Sequence, residues 1–297
     1  MIQYFLLRQP LFFLFTKYIG YDKIEIGDKY FMFLIQIDKD NLPMFDFQLE
    51  LIDILKTEAW LNNTNDVNFI LIHTADEGFS IIEADKDGID IAKTKYIPIG
   101  SIEFVNAFLN RYFNTKVKVF NVPESICNNF KYVKRLYKKN LSIDEVSKVL
   151  EDHKLLTFII KDSNNSKSII DTCSYTNKSI LQCLDKNIRL DVSTYLDDVV
   201  AEYRLFTSGN VIWDIKKYLG DWIYTYNLSI EFLVSLVHEL NDDPTLPKDK
   251  VIDIGILSDG SVFLLEVHPF ISCGTYGFSS KSLPRILKRA YLWQTEN

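Results

Sequence analysis

The sequence predicts an α+β protein. Strand-length apolar segments and amphipathic helical segments follow one another without the regular alternation of a doubly wound sheet. In the last third, an Asp-Gly pair sits between alternating apolar runs, a strong short-range signal for an antiparallel hairpin. With 297 residues, 47% hydrophobic and 25% charged, the chain has the apolar surface for a folded core and the length for more than one domain.

The elements follow in order. Residues 1–20 are apolar but interrupted by Arg8, Gln9, Pro10 and Lys17, and they lack a basic start and a small-residue cleavage site. Their longest clean run, Leu11-Phe12-Phe13-Leu14-Phe15, falls far short of the roughly 20 residues of a membrane span, so a buried strand is expected. Further strands are expected over 30–37, 68–73 and 78–84, with a helix over 49–60. Ser101 is placed to cap a helix whose apolar face is Val105, Phe108, Leu109 and Tyr112. The texture changes at Asn121-Val122-Pro123, where a boundary is expected. Ser142-Ile143-Asp144-Glu145 is a capping box opening the next helix. A buried strand over 155–160 then ends at Lys161. Beyond Asp191 the chain reads mostly as sheet, over 199–206, 211–216 and 222–226, with a helix over 229–240. The Asp-Gly hairpin and a basic amphipathic helix over 281–293 complete it. The expected division is 1–120, 121–190 and 191–297.

Composition removes several classes of function. Thirty-three basic against 40 acidic side chains leave −7, so neither nucleic acid nor an anionic membrane is expected as a partner. The cluster Lys131-Tyr132-Val133-Lys134-Arg135, with Lys138-Lys139, reads as a solvated face. Cys127, Cys173, Cys183 and Cys273 show neither metal spacing nor a disulfide framework, which fits free thiols in a reducing cytoplasm. His73, His153 and His238 have no partner at catalytic spacing. No nucleophile elbow, Walker loop, zincin motif or dinucleotide glycine fingerprint occurs.

The hairpin carries the chemistry. A two-residue turn at Asp259-Gly260 places Asp253 opposite Glu266, with Cβ atoms roughly 4.5–5.5 Å apart. Alternation turns Ile252, Ile254, Ile256, Phe263, Leu265 and Val267 to a core face and leaves Asp253, Glu266 and His268 on the other. Two carboxylates that close destabilise a sheet unless something neutralises them. Either they face solvent, or they hold a divalent cation such as magnesium between carboxylates and phosphates. Glu202 and Arg204, two apart on one strand, share a face with Val200 and Phe206, as a surface ion pair or a functional one. Lys161 closes an apolar strand, where a buried ammonium needs an anion.

These residues resemble a known family. Ile252-Asp253-Ile254-Gly255, then Asp259-Gly260 and Leu264-Leu265-Glu266-Val267-His268, are similar to the metal-binding end of the ATP-grasp fold, which carries an acid on one strand and Glu-x-Asn on the next. Ser272-Cys273-Gly274-Thr275-Tyr276-Gly277 resembles the serine- and glycine-rich stretch that follows in phage and bacterial members of unknown substrate. Glu202-Tyr203-Arg204-Leu205-Phe206 resembles their Glu-x-Arg-x-Phe strand, and Pro98-Ile99-Gly100-Ser101 their Pro-x-Gly-Ser segment. Phe158-Ile159-Ile160-Lys161 resembles the strand whose lysine meets the nucleotide phosphates. The motifs keep the family's order from about Ile97 to Gly277. One position departs: His268 stands where the family has Asn, and imidazole is a softer donor that suits manganese or zinc better than magnesium.

The resemblance implies an ATP-grasp fold, two α+β subdomains gripping ATP, preceded by a small α/β N-terminal domain. It implies an ATP-dependent carboxylate–amine or carboxylate–thiol ligase working through an acyl phosphate on small-molecule or peptide substrates. Arg204 and Lys161 would then be catalytic. Lys161, Lys167, Asp198, Val199 and Glu202 would bind the nucleotide, Asp198 and Val199 through backbone groups of the hinge. Asp253, Glu266 and His268 would hold Mg2+, with Mn2+ as an alternative. The departure at His268 opens a different reading, a catalytically degenerate scaffold that acts as a binding protein, for instance in phage–host conflict. The Ile-, Lys- and Asn-rich usage is compatible with an AT-rich phage genome and hence with a host cytoplasm.

Overall fold

The computed structural model describes residues 31–38, 40, 42–43, 45–62, 69–73, 95–118, 120, 124–127, 135–163, 165–223, 226, 228–271, 273–278 and 281–296. The strands expected in the first 20 residues and over 78–84, and the boundary at Asn121-Val122-Pro123, lie outside them. Among the described residues, no helix is long and apolar enough to cross a membrane.

Among the described residues there are three sheets and three apolar clusters, the first of which also takes in Phe206 and Val251 of the third sheet. The first sheet contains β1 (Phe31–Ile37), β2 (Phe69–His73) and β3 (Lys95–Ile99), all parallel, in the order β2-β1-β3. Parallel neighbours need a crossover, and α1 (Asp46–Leu61) lies between β1 and β2 in the chain. Its buried Gln48 donates to the carbonyls of Gln36 and Ile99, tying the helix start to two strand ends. α2 (Ile102–Phe113) begins where Ser101 Oγ accepts the Phe104 amide at 3.2 Å, the expected cap.

The second sheet is antiparallel, in the order β4-β7-β5-β6. After the short α3 (Glu124–Cys127) come β4 (Tyr137–Leu141), α4 (Ile143–Asp152), β5 (Thr157–Asp162), β6 (Asn165–Ser174), α5 (Ser179–Cys183) and β7 (Leu190–Thr194). The capping box forms in both directions: Glu145 donates its amide to Ser142 Oγ, and the Ser142 amide donates to the Glu145 carboxylate at 2.7 Å. Leu155 and Leu156, expected inside the next strand, sit exposed before it, and β5 begins only at Thr157.

The third sheet contains β8 (Val199–Ser208), β9 (Val211–Gly220), β10 (Asp249–Leu257) and β11 (Val262–Pro269), antiparallel in the order β11-β10-β8-β9. α6 (Ile230–Asn241) covers one face with Leu233, Leu236, Val237 and Leu240. α7 (Leu283–Glu296) returns to the N-terminal sheet, where Ile286, Leu287 and Ala290 share a core with Leu34, Ile97 and Phe104. Trp222 and Ile223 form an exposed turn, not the strand expected over 222–226.

The hairpin keeps the expected carboxylate pairing by a different route. Its loop has three residues, Ser258-Asp259-Gly260, closed by the Leu257 amide donating to Ser261 O, with Gly260 left-handed at φ +84°. That loop alone would put Asp253 opposite Leu265. A bulge between Asp253 and Ile254 leaves Leu265 unpaired and restores Asp253 opposite Glu266. Leu264, not Leu265, therefore joins Ile252, Ile254, Ile256 and Val267 in the core beneath α6. Phe263 moves to the opposite face beneath Gly255, where a Cβ would stand 2.3 Å from its ring. A second bulge, at Val200, turns that residue to the α6 side and away from Glu202 and Arg204.

The far end of β10 is fixed by charge. Arg289 of α7 holds Asp249 with two hydrogen bonds of 2.9 and 2.7 Å. The neighbouring Lys250 is fully buried; its ammonium donates to Pro247 O at 2.8 Å and to Asn241 Oδ1. Burial holds its pKa down at about 8, against the opposing charges of Asp249 and Asp243. The folded state thus gives up this proton earlier than the unfolded chain, whose lysines titrate near 10.5. Between pH 8 and 10 the unfolded chain binds more protons, so this group makes stability rise with pH. Urea unfolding at pH 7.5 and 9.5 should show that rise in the wild type and its loss in Lys250→Met.

Candidate functional site

Four side chains stand on one rung across the third sheet. Register pairs Glu266 on β11 with Asp253 on β10, Asp253 with Arg204 on β8, and Arg204 with Lys216 on β9. They project from the face opposite α6. Because antiparallel neighbours lie about 4.8 Å apart, the rung brings two acids beside two cations without any loop.

Arg204 grips Asp253 in a bidentate pair, Nε to Oδ1 at 2.8 Å and Nη2 to Oδ2 at 2.7 Å, with both side chains almost wholly buried. Its third donor reaches Gly274 O at 2.9 Å, fixing the loop after β11. His268 Nε2 stands 3.2 Å from Asp253 Oδ2 and 3.0 Å from Glu266 Oε2, bridging the two carboxylates. The other Glu266 oxygen meets Lys161 of β5, 2.5 Å away, so an acid of the third sheet is paired with a cation of the second.

Electrostatics follow from these contacts. Burial alone would raise both acids; the bonds and charges of Arg204 and His268 hold Asp253 below its usual range. Those of His268 and Lys161 pull Glu266 down to about 2. Burial would lower His268, yet Asp253 and Glu266 hold its imidazole above the usual value. The like-charge problem posed by the hairpin is thus met within the chain, by Arg204 and Lys161 with His268 bridging the two carboxylates.

The remaining expected residues lie apart. Val199 faces Leu257 at the start of β8, and the exposed Asp198 accepts from Ser258 Oγ at 3.1 Å. Glu202 sits opposite Gly255, one face position from Arg204, and burial, together with the negative charges of Asp253 and Glu202, raises the Tyr218 hydroxyl above its usual range. Lys167 is on β6, but its side chain lies outside the described residues.

Residues unforeseen in the sequence also line the cleft between the sheets. Arg135, expected on a solvated face, is 7% exposed; it donates to Leu264 O at 2.8 Å and lies 5.8 Å from the rings of Tyr137 and Phe263. It shares the cleft with Lys161, Asp191, Glu266 and His268. Asp191 accepts from the Asn140 amide, Ser163 Oγ and the Tyr137 hydroxyl. The alternation of Arg135 and Tyr137 at the entry to β4 was the available signal.

Residues 137–285 match the family model of an ATP-grasp domain, the second family of its clade. The chain belongs to this ATP-grasp family. The matched half of the chain contains both antiparallel sheets and the whole charged rung; Arg135 and the N-terminal sheet precede it. Similar solved structures include a D-cycloserine synthetase, 13% identical over 89% of this chain and 99% of that one, with a TM-score of 0.46. A RimK domain ATP-grasp protein from Sphaerobacter thermophilus is 10% identical over 90% and 100%, at 0.44. A D-alanine–D-alanine ligase from Bacillus anthracis complexed with ATP is 13% identical over 90% and 98%, at 0.41. No curated protein matches the chain.

ATP-grasp ligases generally use a divalent metal with their nucleotide. The donors here fit one in part. Glu266 is a cleft-facing carboxylate beside an imidazole, but both oxygens of Asp253 are closed by Arg204. Among the described residues, no group of three or more His, Cys, Asp or Glu is set to hold a metal ion.

Proposed function

We propose that this ATP-grasp chain is an ATP-dependent ligase that joins a carboxylate to an amine or thiol through an acyl phosphate. The observation that carries the reading is the 2.5 Å meeting of Lys161 and Glu266 in the cleft between the two antiparallel sheets. Each stands in for a missing partner of the other: a triphosphate would give Lys161 its anion, and a divalent cation would give Glu266 its positive charge. The hinge supports the same orientation. Val199 faces Leu257, four positions along β10 from Asp253, roughly 13 Å at the usual strand rise. That separation suits a nucleotide with its base at the hinge and its phosphates at Lys161.

In the proposed reaction a carboxylate oxygen attacks the terminal phosphorus, the bond to ADP breaks, and an acyl phosphate forms. The amine or thiol then attacks the acyl carbon, phosphate leaves and a proton is released. The main need in such a transfer is to neutralise phosphate charge. Lys161 and Arg135 would meet it from the second-sheet side. Arg204 already spends three of its five N–H donors on Asp253 and Gly274, which makes it first the brace of the rung. Glu266 with His268 would hold a divalent cation, which would screen the phosphates.

Incubation with ATP, MgCl2 or MnCl2, hydroxylamine and a pool of small carboxylic acids should trap a hydroxamate together with ADP. AMP and pyrophosphate in place of ADP would overturn the acyl-phosphate route. Absence of nucleotide binding with either metal would overturn the ligase reading altogether. The second reading, a degenerate scaffold, draws on the closure of Asp253 by Arg204 and on His268 in the asparagine position. It requires binding that is indifferent to Glu266→Gln.

A further inference from the structure

We propose that the cleft selects a first-row transition-metal dication over magnesium, because the cation is held by one carboxylate oxygen, Glu266 Oε2, and one imidazole nitrogen, His268 Nε2. The proposal rests on the ligase reading for the nucleotide that shares the ion; the donor pair itself rests on the geometry of β11.

Asp253 is withdrawn from the ligand set expected for magnesium. It is 3% exposed, and Arg204 holds both of its oxygens, at 2.8 and 2.7 Å. The guanidinium is itself locked. It donates to Gly274 O at 2.9 Å and lies 5.4 and 4.9 Å from the rings of Tyr218 and Tyr276, which stack with centroids 5.0 Å apart. A cation that took Asp253 would have to break a buried bidentate pair and leave the guanidinium without its counter-charge.

Glu266 and His268 are placed differently. They stand two apart on β11, so they share one face, and both side chains are part exposed and line the cleft. Glu266 Oε2 and His268 Nε2 lie 3.0 Å apart. In an octahedral shell with bonds of about 2.1 Å, adjacent donors stand about 3.0 Å from one another, so the pair shares an ion without rearrangement. The oxygen used is not the one that meets Lys161. Nε2 sits between two carboxylates and carries a proton; the ion displaces that proton to solvent, and the ring coordinates in its neutral form.

The donor pair chooses the ion. Among the described residues no third His, Cys, Asp or Glu completes a metal-holding group, so phosphate oxygens and water fill the shell and tie the ion to the nucleotide. Half of what the protein supplies is then nitrogen. Magnesium takes oxygen ligands and gives up water reluctantly, whereas affinity for imidazole rises along the first-row series from manganese to cobalt. One carboxylate beside one imidazole favours the transition ion.

The test measures binding of a non-hydrolysable ATP analogue to the full chain by calorimetry, with magnesium, manganese or cobalt(II) in turn. Affinity should rise in that order, by about tenfold from magnesium to cobalt. His268→Asn, which puts an oxygen donor in place of the imidazole, should remove most of that rise. Electron spin-echo spectra of the manganese complex should show coupling to an imidazole nitrogen in the wild type and none in His268→Asn, a signature that a structural role for His268 would not produce. Equal affinities with the three ions, a rise that survives His268→Asn, or no nitrogen coupling in the wild type would each overturn the proposal. Should the analogue fail to bind with any ion, the ligase reading falls. The spectrum with manganese alone then decides the donor pair, which stands with nitrogen coupling and falls without it.

Discussion

Arg204→Met should lower the stability of the protein by about 3–5 kcal/mol in urea unfolding, one of the largest effects a single substitution can have here. The reason is the carboxylate left behind. Asp253 is 3% exposed, and Arg204 supplies both of its close charge-assisted bonds. Among the described residues it then keeps only His268, 3.2 Å away, and must either protonate or remain a charge in low dielectric. Gly274 O loses its donor in the same step. The double variant Arg204→Met with Asp253→Leu should recover most of the loss, because a buried pair replaced by apolar side chains is often neutral. A loss below about 1 kcal/mol in the single variant would mean that water reaches Asp253, since exposed pairs are worth no more than that.

Part of the fold was legible in the sequence because its signals are local. The place of the Asp-Gly hairpin and the Ser101 and Ser142 caps depend on residues a few positions apart, and each appears where expected. The loop length was not legible. Asp-Gly reads as a two-residue turn, yet Ser258 joins the loop, and only the bulge at Leu265 brings Asp253 back to Glu266. The pairing was right while the reason and two core residues, Phe263 and Leu265, were wrong. Bulges are set by what the whole sheet packs against, and no short window contains that.

The candidate site shows the same division. Asp253, Glu266 and His268 could be placed together from the Asp-Gly turn and strand alternation. That they would be closed by Arg204 and Lys161 could not, because those partners lie 49 and 105 positions away. Arg135 was misread for a related reason. A run of lysines around one arginine looks solvated, but the segment leading into the first strand of the second sheet carries that arginine under the hairpin, against Leu264. Tyr218 and Tyr276 are 58 positions apart, and their stack depends on a left-handed turn that aromatic residues seldom make.

Lys161→Met and Glu266→Gln should separate binding from stability. Their ion pair is part exposed, with side chains at 21% and 35%, so solvent screens it and its loss should change folding stability by no more than about 1 kcal/mol. Against a triphosphate the same lysine would make a charge-assisted bond worth roughly 1.5–3 kcal/mol. Lys161→Met should therefore weaken ATP binding about 10- to 100-fold by calorimetry, with little change in unfolding. Glu266→Gln should act in opposite directions according to the metal. With magnesium present it removes the carboxylate that would hold the cation, so affinity should fall. In EDTA it removes a negative charge beside the phosphates and frees Lys161, so affinity for the bare nucleotide should rise. That crossing of signs belongs to a site where acid and lysine each wait for a ligand. If both variants bind ATP as the wild type does, with and without metal, the Lys161–Glu266 pair is a strut between two sheets and the nucleotide lies elsewhere.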